Sequence, residues 1–251
     1  MADIDRLTNL LERFPLRVMS APLDKASLAV TAGKDGSPQT VFFRARGYGF
    51  RLPAHDVLLS ARVDWGGDAN PLLAALPNEV VFDVGSCQEN TGLVSVLHSE
   101  LQQDRCGAEP VINRLGEVLI VRMLRRLIEQ GATEPGLLAG LYDRRIGRAI
   151  VAIHDQPGRA WRNEDLADVA GLSLSRFAEL FLSIVGEPPA VYLRRWRLML
   201  ARQDVMKGDR VDAVARRYGY RSPEGFARAF KKHFGQTPIA ERPGLATAAM
   251  G

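Results

Sequence analysis

With 251 residues, 46% of them apolar and 25% charged, the chain has the length and balance of a globular protein of one or two domains. No apolar run approaches the roughly 18 residues of a membrane span. The opening stretch MADIDRLTNLLERF sets acids ahead of any apolar segment, unlike a signal peptide, so a cytoplasmic protein without membrane contact is expected.

The net charge of +4 hides an asymmetry. From Tyr142 to Gly251 there are 19 Lys/Arg against 12 Asp/Glu, or +7; from Met1 to Leu141 there are 14 against 17, or −3. A basic half joined to a slightly acidic half points to a polyanion met by the C-terminal half alone. Cys87 and Cys106 are too few for a disulfide scaffold and wrongly spaced for a zinc site.

In chain order, residues 3–14 read as a short helix with Leu7, Leu10 and Leu11 on one face. From Leu16 to about Val84 the runs LRVMS, SLAVTA, TVFFRARGYGFRL, DVLLSARVDW and EVVFDV are short and rich in Val and Phe. GKDGSP, RGYG, LPAHD and GGDANP between them are turn chemistry. This predicts a small antiparallel β domain, a sandwich or barrel, over 16–84, with one helical turn in NPLLAALP. Helices follow within 91–130. The stronger one, over 111–131, repeats Leu115, Val118, Leu119, Met123, Leu124, Leu127 and Ile128 at helical spacing, and Ile120 and Val121 widen its apolar surface. Such a helix packs on two sides, either within its own chain or with one side against a second subunit. GATEPGLLAG (131–140) is punctuated by Gly and Pro, so the boundary is set there: a first domain over 1–140, a helical one over 141–243, and a frayed tail over 244–251.

The helical half contains a repeat. Ala167, Val169 and Gly171 match Ala215, Arg217 and Gly219 at an offset of 48; Phe177, Phe181, Gly186 and Pro189 match Phe226, Phe230, Gly235 and Pro238 at 49. Each copy reads as a supporting helix, a glycine that ends it in the left-handed conformation, and a second helix with a buried phenylalanine face. In the second copy, RSPEGFARAFKKHFGQTP (221–238), Ser222 and Pro223 form a good helix start. Between the copies, PAVYLRRWRLMLARQDVMKG (189–208) reads as a linker helix with Tyr192, Trp196, Met199, Leu200 and Val205 on its apolar face. Trp161, Trp196 and the four phenylalanines read as core. This is a duplicated helix-turn-helix, whose second helices would sit about 34 Å apart in successive major grooves of duplex DNA.

GYRSPEGFARAFKKHFGQTP, DLADVAGLSLSRFAELFLSIVGEPP and YLRRWRLMLARQDV resemble the AraC/XylS family of transcription regulators over roughly residues 143–242. LERFPLRV, DWGGDANPLLAALP (64–77) and RCGAEPVINRLGEVLIVRMLRRLI (105–128) resemble the subgroup with a cupin-like N-terminal sensor and dimerisation domain. The implied fold is α+β: a small antiparallel β (cupin-like) domain with helices, then an all-α domain of two helix-turn-helix units joined by a linker helix. By position, the resemblance places base-reading residues at Ser175, Ala178 and Glu179 on the first recognition helix and at Glu224, Gly225, Ala227 and Arg228 on the second. An arginine at 228 can pair bidentately with guanine. Glu179 either accepts from cytosine N4 or only repels phosphate, and Ala178, Gly225 and Ala227 touch at most a thymine methyl. Phosphate contacts are expected from Arg176, Arg194, Arg195, Arg197, Arg221, Lys231 and Lys232, each of which alternatively belongs to a solvated face. The implied partners are double-stranded DNA, a second copy of the chain through residues 111–130, RNA polymerase and a small-molecule effector.

No enzyme signature accompanies this. His55, His98, His154 and His233 are scattered, with only His55 in the β region, so neither a metal site nor a cofactor is expected. P-loop, GxSxG and HExxH patterns are absent. Phe42, Phe43, Tyr48, Phe50, Trp65 and Phe82 either line a ligand cavity or fill the β domain. Cys87 and Cys106 are either buried structural thiols or a redox pair. The strand region before Asp64 is shorter than in such sensors. Two readings therefore stay open: a regulator modulated by a signal sensed in the N-terminal domain, and one whose N-terminal half only dimerises or contacts a protein.

Overall fold

The computed structural model describes residues 7–67, 70–103, 105–131 and 134–242; the tail expected over 244–251 lies outside them. The chain divides into two compact units, Phe14–Ala132 and Met1–Arg13 with Thr133–Gly251.

In the first unit, β1 (Arg17–Ser20), β2 (Leu28–Ala32), β3 (Pro38–Arg44), β4 (Val57–Asp64) and β5 (Glu79–Asp83) form one antiparallel sheet in the order β1-β4-β2-β3-β5. Val41 and Phe43 on β3, Leu59, Ala61 and Val63 on β4, and Val80 and Phe82 on β5 are buried at alternate positions, as the pleat requires. The sheet has two edges, β1 and β5, where a sandwich or closed barrel was expected. The expected third strand is cut short by its glycines. After Arg44 the chain leaves the sheet through Gly47 and Gly49, both at positive φ (83° and 87°). A Cβ at Gly49 would lie 2.8 Å from the Asp24 carbonyl oxygen, so GYGFRL is a loop folded onto the start of β2. Phe43, Trp65 and Phe82 are buried, the first two edge to face at 6.1 Å; Phe43 and Trp65 fill the core, and Phe82 packs into it while bordering a groove on the flank of β5. Tyr48 is exposed, with the Arg62 guanidinium 4.4 Å from its ring centre.

One helical turn, α2 (Pro71–Ala75), follows β4, capped by the Asn70 side chain on Leu72 N. Helix α3 (Gln88–Gln102) packs on α4 (Ala108–Gln130), and α4 lies on β1. Gly116 sets that approach: a Cβ there would fall 2.5 Å from the Val18 side chain. Three residues before it, Asn113 Oδ1 accepts the Val18 N–H at 2.7 Å. The helix thus supplies a polar partner to an edge strand whose backbone would otherwise lack one.

The second unit is helical. It comprises α1 (Thr8–Arg13), α5 (Leu137–Tyr142), α6 (Arg144–Asp155), α7 (Asn163–Ala170), α8 (Leu174–Val185), α9 (Pro189–Met206), α10 (Val211–Arg217) and α11 (Pro223–Phe234). Its limits differ from the boundary expected near residue 140 at both ends. Helix α1 contacts α6, where the Asn9 amide bonds Asp155, and the Arg13 carbonyl accepts from Gln203 Nε2 at 2.9 Å. Helix α5 buries Leu137, Leu138 and Leu141, and its Gly140 packs against Ile150 and Val185. The joint expected over 131–140 carries the start of α5, whose leucines require an apolar face that this unit supplies.

Helix α9 runs through this unit. Trp196 stacks on His154 at 3.8 Å, and the His154 Nε2 shares a 2.7 Å hydrogen bond with the Tyr192 hydroxyl. Phe181 meets Tyr192 edge to face at 5.6 Å. Burial removes the water that would solvate an imidazolium, which pushes the His154 pKa down to about 3.

Two expected outcomes follow from this packing. Gly116→Ala forces a methyl group into Val18 and should destabilise the chain by about 1–3 kcal/mol, a loss that Val18→Ala partly restores in a urea double-mutant cycle; additive effects would refute the contact. For His154 the folded pKa lies below the unfolded value of 6.5, so the unfolded chain binds the extra proton. Its effect is nil above pH 6.5; stability then falls with pH towards about 3, by up to about 1.4 kcal/mol per pH unit. Urea unfolding of His154→Phe between pH 7.5 and 5 should show a shallower acid loss than the parent. Equal slopes would remove His154 from the account.

Candidate nucleic-acid interface

The two sequence repeats fold into the same local structure. At the end of α7, Gly171 adopts φ 69°, Gly171 N donates to the Asp168 carbonyl at 3.0 Å, and Leu172 N reaches back to Ala167 O at 2.9 Å. At the end of α10, Gly219 has φ 73°, its N–H bonds Arg216 O at 3.1 Å, and Tyr220 N reaches Ala215 O at 2.9 Å. A left-handed glycine with this pair of returning bonds is a Schellman-type helix end. It turns the chain sharply into the second helix. The extra residue of the second copy lies between this glycine and the cap. There Ser222 Oγ accepts Gly225 N at 3.1 Å, and Pro223 opens α11 without needing a donor.

Each second helix is divided by its burial. On α8, Phe177, Phe181 and Val185 are buried, Ser175, Arg176 and Glu179 are exposed, and Ala178 is half-buried. On α11, Phe226 and Phe230 are buried, Glu224, Arg228, Lys231 and Lys232 are exposed, and Gly225 and Ala227 are half-buried. Phe177–Phe181 and Phe226–Phe230 are both edge-to-face pairs with centres 5.5 Å apart. The inward i, i+4 phenylalanines fix the roll of each helix. That roll aligns Glu224, Arg228 and Lys231 along one outward stripe of α11.

The predicted cations divide into two groups. Arg194 on α9, Arg221 before α11, and Lys231 and Lys232 on α11 are exposed, and among the described residues none is in an ion pair. Arg176 is exposed but pairs with Glu179 at 2.8 Å, one turn along α8, so the acid's charge is locally compensated. Arg195 and Arg197 are committed to the protein itself. Arg195 holds Glu187 through Nε at 2.8 Å and lies 5.2 Å from the Tyr192 ring centre. Arg197 donates from Nε to Pro157 O at 2.6 Å and from Nη2 to Arg159 O at 2.7 Å, and burial lowers its pKa. It thereby clamps the loop after α6 where two backbones touch. A Cβ on Gly158 would lie 2.2 Å from Arg217 O, and one on Gly219 2.9 Å from Gly158 O. Arg197 thus positions the second turn.

A second anchor was missed by sequence reasoning. Asp204, buried near the end of α9, accepts from Tyr218 Oη at 2.6 Å and Arg217 Nη1 at 2.5 Å, and Arg217 also pairs with Asp209 at 2.7 Å. These carboxylates raise the pKa of Arg217 further, and burial with the Asp204 contact raises that of Tyr218. The signal was available: Asp204 sits among Leu200, Ala201 and Val205, and an acid on an apolar helix face needs a partner. Trp161, read as core, is half-buried, with the Arg159 guanidinium 3.9 Å from its ring centre.

In the other unit the cysteines are free; Cys87 is half-buried and Cys106 exposed, so neither is a buried structural thiol. The Cys87 thiol lies 2.8 Å from a Glu89 carboxylate oxygen. Among the described residues no group of His, Cys, Asp and Glu is arranged to hold a metal, and no helix is long and apolar enough to cross a membrane.

Comparison with known proteins matches residues 166–243 to a helix-turn-helix domain family and residues 8–129 to a cupin family. A putative AraC-like transcription regulator of Streptomyces lividans is 28% identical over 87% of this chain and 70% of its own length. The HTH-type transcriptional regulator AlkR of Acinetobacter baylyi is 34% identical over 67% of this chain and 57% of its own. The chain spans between about half and 70% of the length of the first such relatives. Among solved structures, the DNA-binding domain of AdpA in complex with a target DNA covers 43% of this chain and 99% of that one, at 29% identity and a TM-score of 0.38. With a cupin domain followed by this helix-turn-helix domain, the chain belongs to the AraC family of transcription regulators.

Proposed function

We propose that the chain is a sequence-specific DNA-binding regulator that sets α8 and α11 in successive major grooves. The observation that carries this reading is the duplication: two glycine turns closed by the same pair of returning bonds, each followed by a helix that buries a phenylalanine pair and turns a polar stripe outward. Arg228 is the main base reader, since its guanidinium is exposed, is in no ion pair among the described residues, and matches a guanine edge. Ser175, Glu179 and Glu224 lie on the same outward faces, while Ala178, Gly225 and Ala227 offer only contact surface. Arg176, Arg194, Arg221, Lys231 and Lys232 supply phosphate contacts. Arg195 and Arg197 serve instead by holding the scaffold, so they leave that set.

A signal sensed by the Phe14–Ala132 unit modulates this binding, and the chain acts as a dimer. The dimer surface is the outer face of α4, where Val111 and Val118 are 38% and 47% exposed on either side of half-buried Leu115. The second reading, an N-terminal half that only dimerises, draws on the filled core around Phe43, Trp65 and Phe82.

Selection of DNA from a random pool should return a two-part site with centres about 10 base pairs apart. Arg228→Ala should cost about 1–3 kcal/mol on that site and relax preference at one base position. Arg194→Ala and Lys231→Ala should weaken selected and random DNA alike and flatten the salt dependence by roughly 0.9 in log–log slope each. Equal losses on both DNAs for Arg228→Ala would take the base-reading role from it. Val118→Glu should turn a dimer into a monomer in analytical ultracentrifugation, and a parent chain that sediments as a monomer at micromolar concentration would rule the dimer out.

A further inference from the structure

A groove of about 620 Å³ opens between β5, the first turn of α3 and the C-terminal half of α4, wholly within the Phe14–Ala132 unit. That is the size of a small-molecule site, roughly 300–1,000 Å³. Three arginines of α4 line it, Arg122, Arg125 and Arg126. Spacings of three and four residues put Arg122 beside both of the others on the helix surface. Among the described residues none of the three is in an ion pair. Elsewhere in this unit Arg44 and Arg105 have Glu79 and Glu100.

Arg122 is held in place. Its Nε donates to the buried Asn90 side chain, and its Nη2 lies 3.5 Å from Cys87 Sγ. A guanidinium carries five N–H donors, and among the described residues Nη1 has no protein acceptor. Opposite charge is present. Asp83 and Glu129 also line the groove, and Asp83 Oδ1 is already engaged by Gly85 N at 2.9 Å. Glu89, bonded to the Cys87 thiol, adds a third negative charge that acts on Arg122. Three cations face three anions, which leaves no surplus charge for a polyphosphate, while the open edge of Arg122 and the unpaired Arg126 suit a single carboxylate. Val80, Phe82, Met123 and Leu127 supply apolar wall beside it.

We infer that this groove binds a small organic monocarboxylate, its carboxylate on Arg122 and Arg126 and its apolar body against Met123, Leu127 and Val80. A planar guanidinium fork matches a carboxylate bidentately. The inference rests on the reading that this unit senses a signal, and it moves the sensing site from the sheet interior to the flank of β5 and α4.

Calorimetric titration of the full chain with straight-chain monocarboxylates from acetate to octanoate, with octanol and with inorganic phosphate, tests it without DNA. Octanoate should saturate one site per chain, with affinity rising roughly two- to fourfold per methylene along the series. Octanol should bind at least tenfold more weakly, and phosphate no better than acetate. Arg122→Met and Arg126→Met should each weaken octanoate about tenfold or more, Arg126→Met without moving the thermal melt, and Lys34→Met on the same unit should leave octanoate binding unchanged. Arg126 is exposed and makes no protein hydrogen bond among the described residues, so its variant stays informative if Arg122→Met unfolds. Absence of saturable octanoate binding, equal binding of octanol, or retention of affinity in Arg126→Met would overturn the site. Affinity for the selected DNA, measured with and without octanoate, tests the underlying reading separately: saturable binding that leaves DNA affinity unchanged upholds the site and refutes sensing.

Discussion

Helix α9 is the constraint on which the C-terminal unit depends. Its first half belongs to one helix-turn-helix: Tyr192 meets Phe181 of α8, and Trp196 is stacked on His154 of α6. Its second half belongs to the other: Asp204 takes the Tyr218 hydroxyl and Arg217 of α10, and Arg202 lies 5.0 Å from the Phe234 ring of α11. One rigid element therefore carries both supporting cores. The relation between α8 and α11 is set by its length and by which residues point each way, since 18 residues at about 1.5 Å each span roughly 27 Å. Short loops alone could not hold α8 and α11 at a fixed separation.

The same helix explains why the basic composition of this half is a poor guide to its surface. Consecutive residues of α9 lie about 100° apart, so Arg194, Arg195 and Arg197 face different surroundings. Arg194 meets water, Arg195 closes on Glu187, and Arg197 reaches the backbone after α6. Counting cations treats all three alike, whereas packing leaves only Arg194 without an ion pair or backbone partner among the described residues. Arg197, its N–H groups taken by backbone carbonyls, instead fixes the turn before α11. Its loss would alter geometry before it altered charge.

Much of this was legible in the sequence because it depends on local chemistry. A glycine at a helix end, a serine–proline start and phenylalanines at i and i+4 each act over a few residues, and all appear as expected at Gly171, Gly219, Ser222, Phe177 and Phe226. The strands were legible from their Val and Phe runs. What was not legible depends on partners far along the chain. The third strand ends at Arg44 because Gly49 packs against Asp24, 25 residues earlier. Helix α1 joins the C-terminal unit through Asp155 and Gln203, which no periodicity in residues 3–14 specifies. Asp204 was visible as an acid on an apolar face, but its partners Tyr218 and Arg217 lie beyond a turn.

The N-terminal unit carries the remaining argument. A sheet with two free edges must protect both, and here the edges are treated differently. At β1 the helix α4 comes close enough, over Gly116, for Asn113 to satisfy a backbone donor. At β5 the same helix has turned its Arg122–Arg126 segment to the strand, leaving a groove where the first edge is sealed. Val81 remains 66% exposed there. A core filled by Phe43, Trp65 and Phe82 removes the interior as a place for a ligand, but it also makes the sheet a firm wall. Because α4 closes one edge, borders the groove at the other and exposes Val111 and Val118 on its outer face, a ligand settling on its arginines would act on the element that holds the unit together. In the proposed dimer, coupling would need no path through the sheet, only a small shift of one helix.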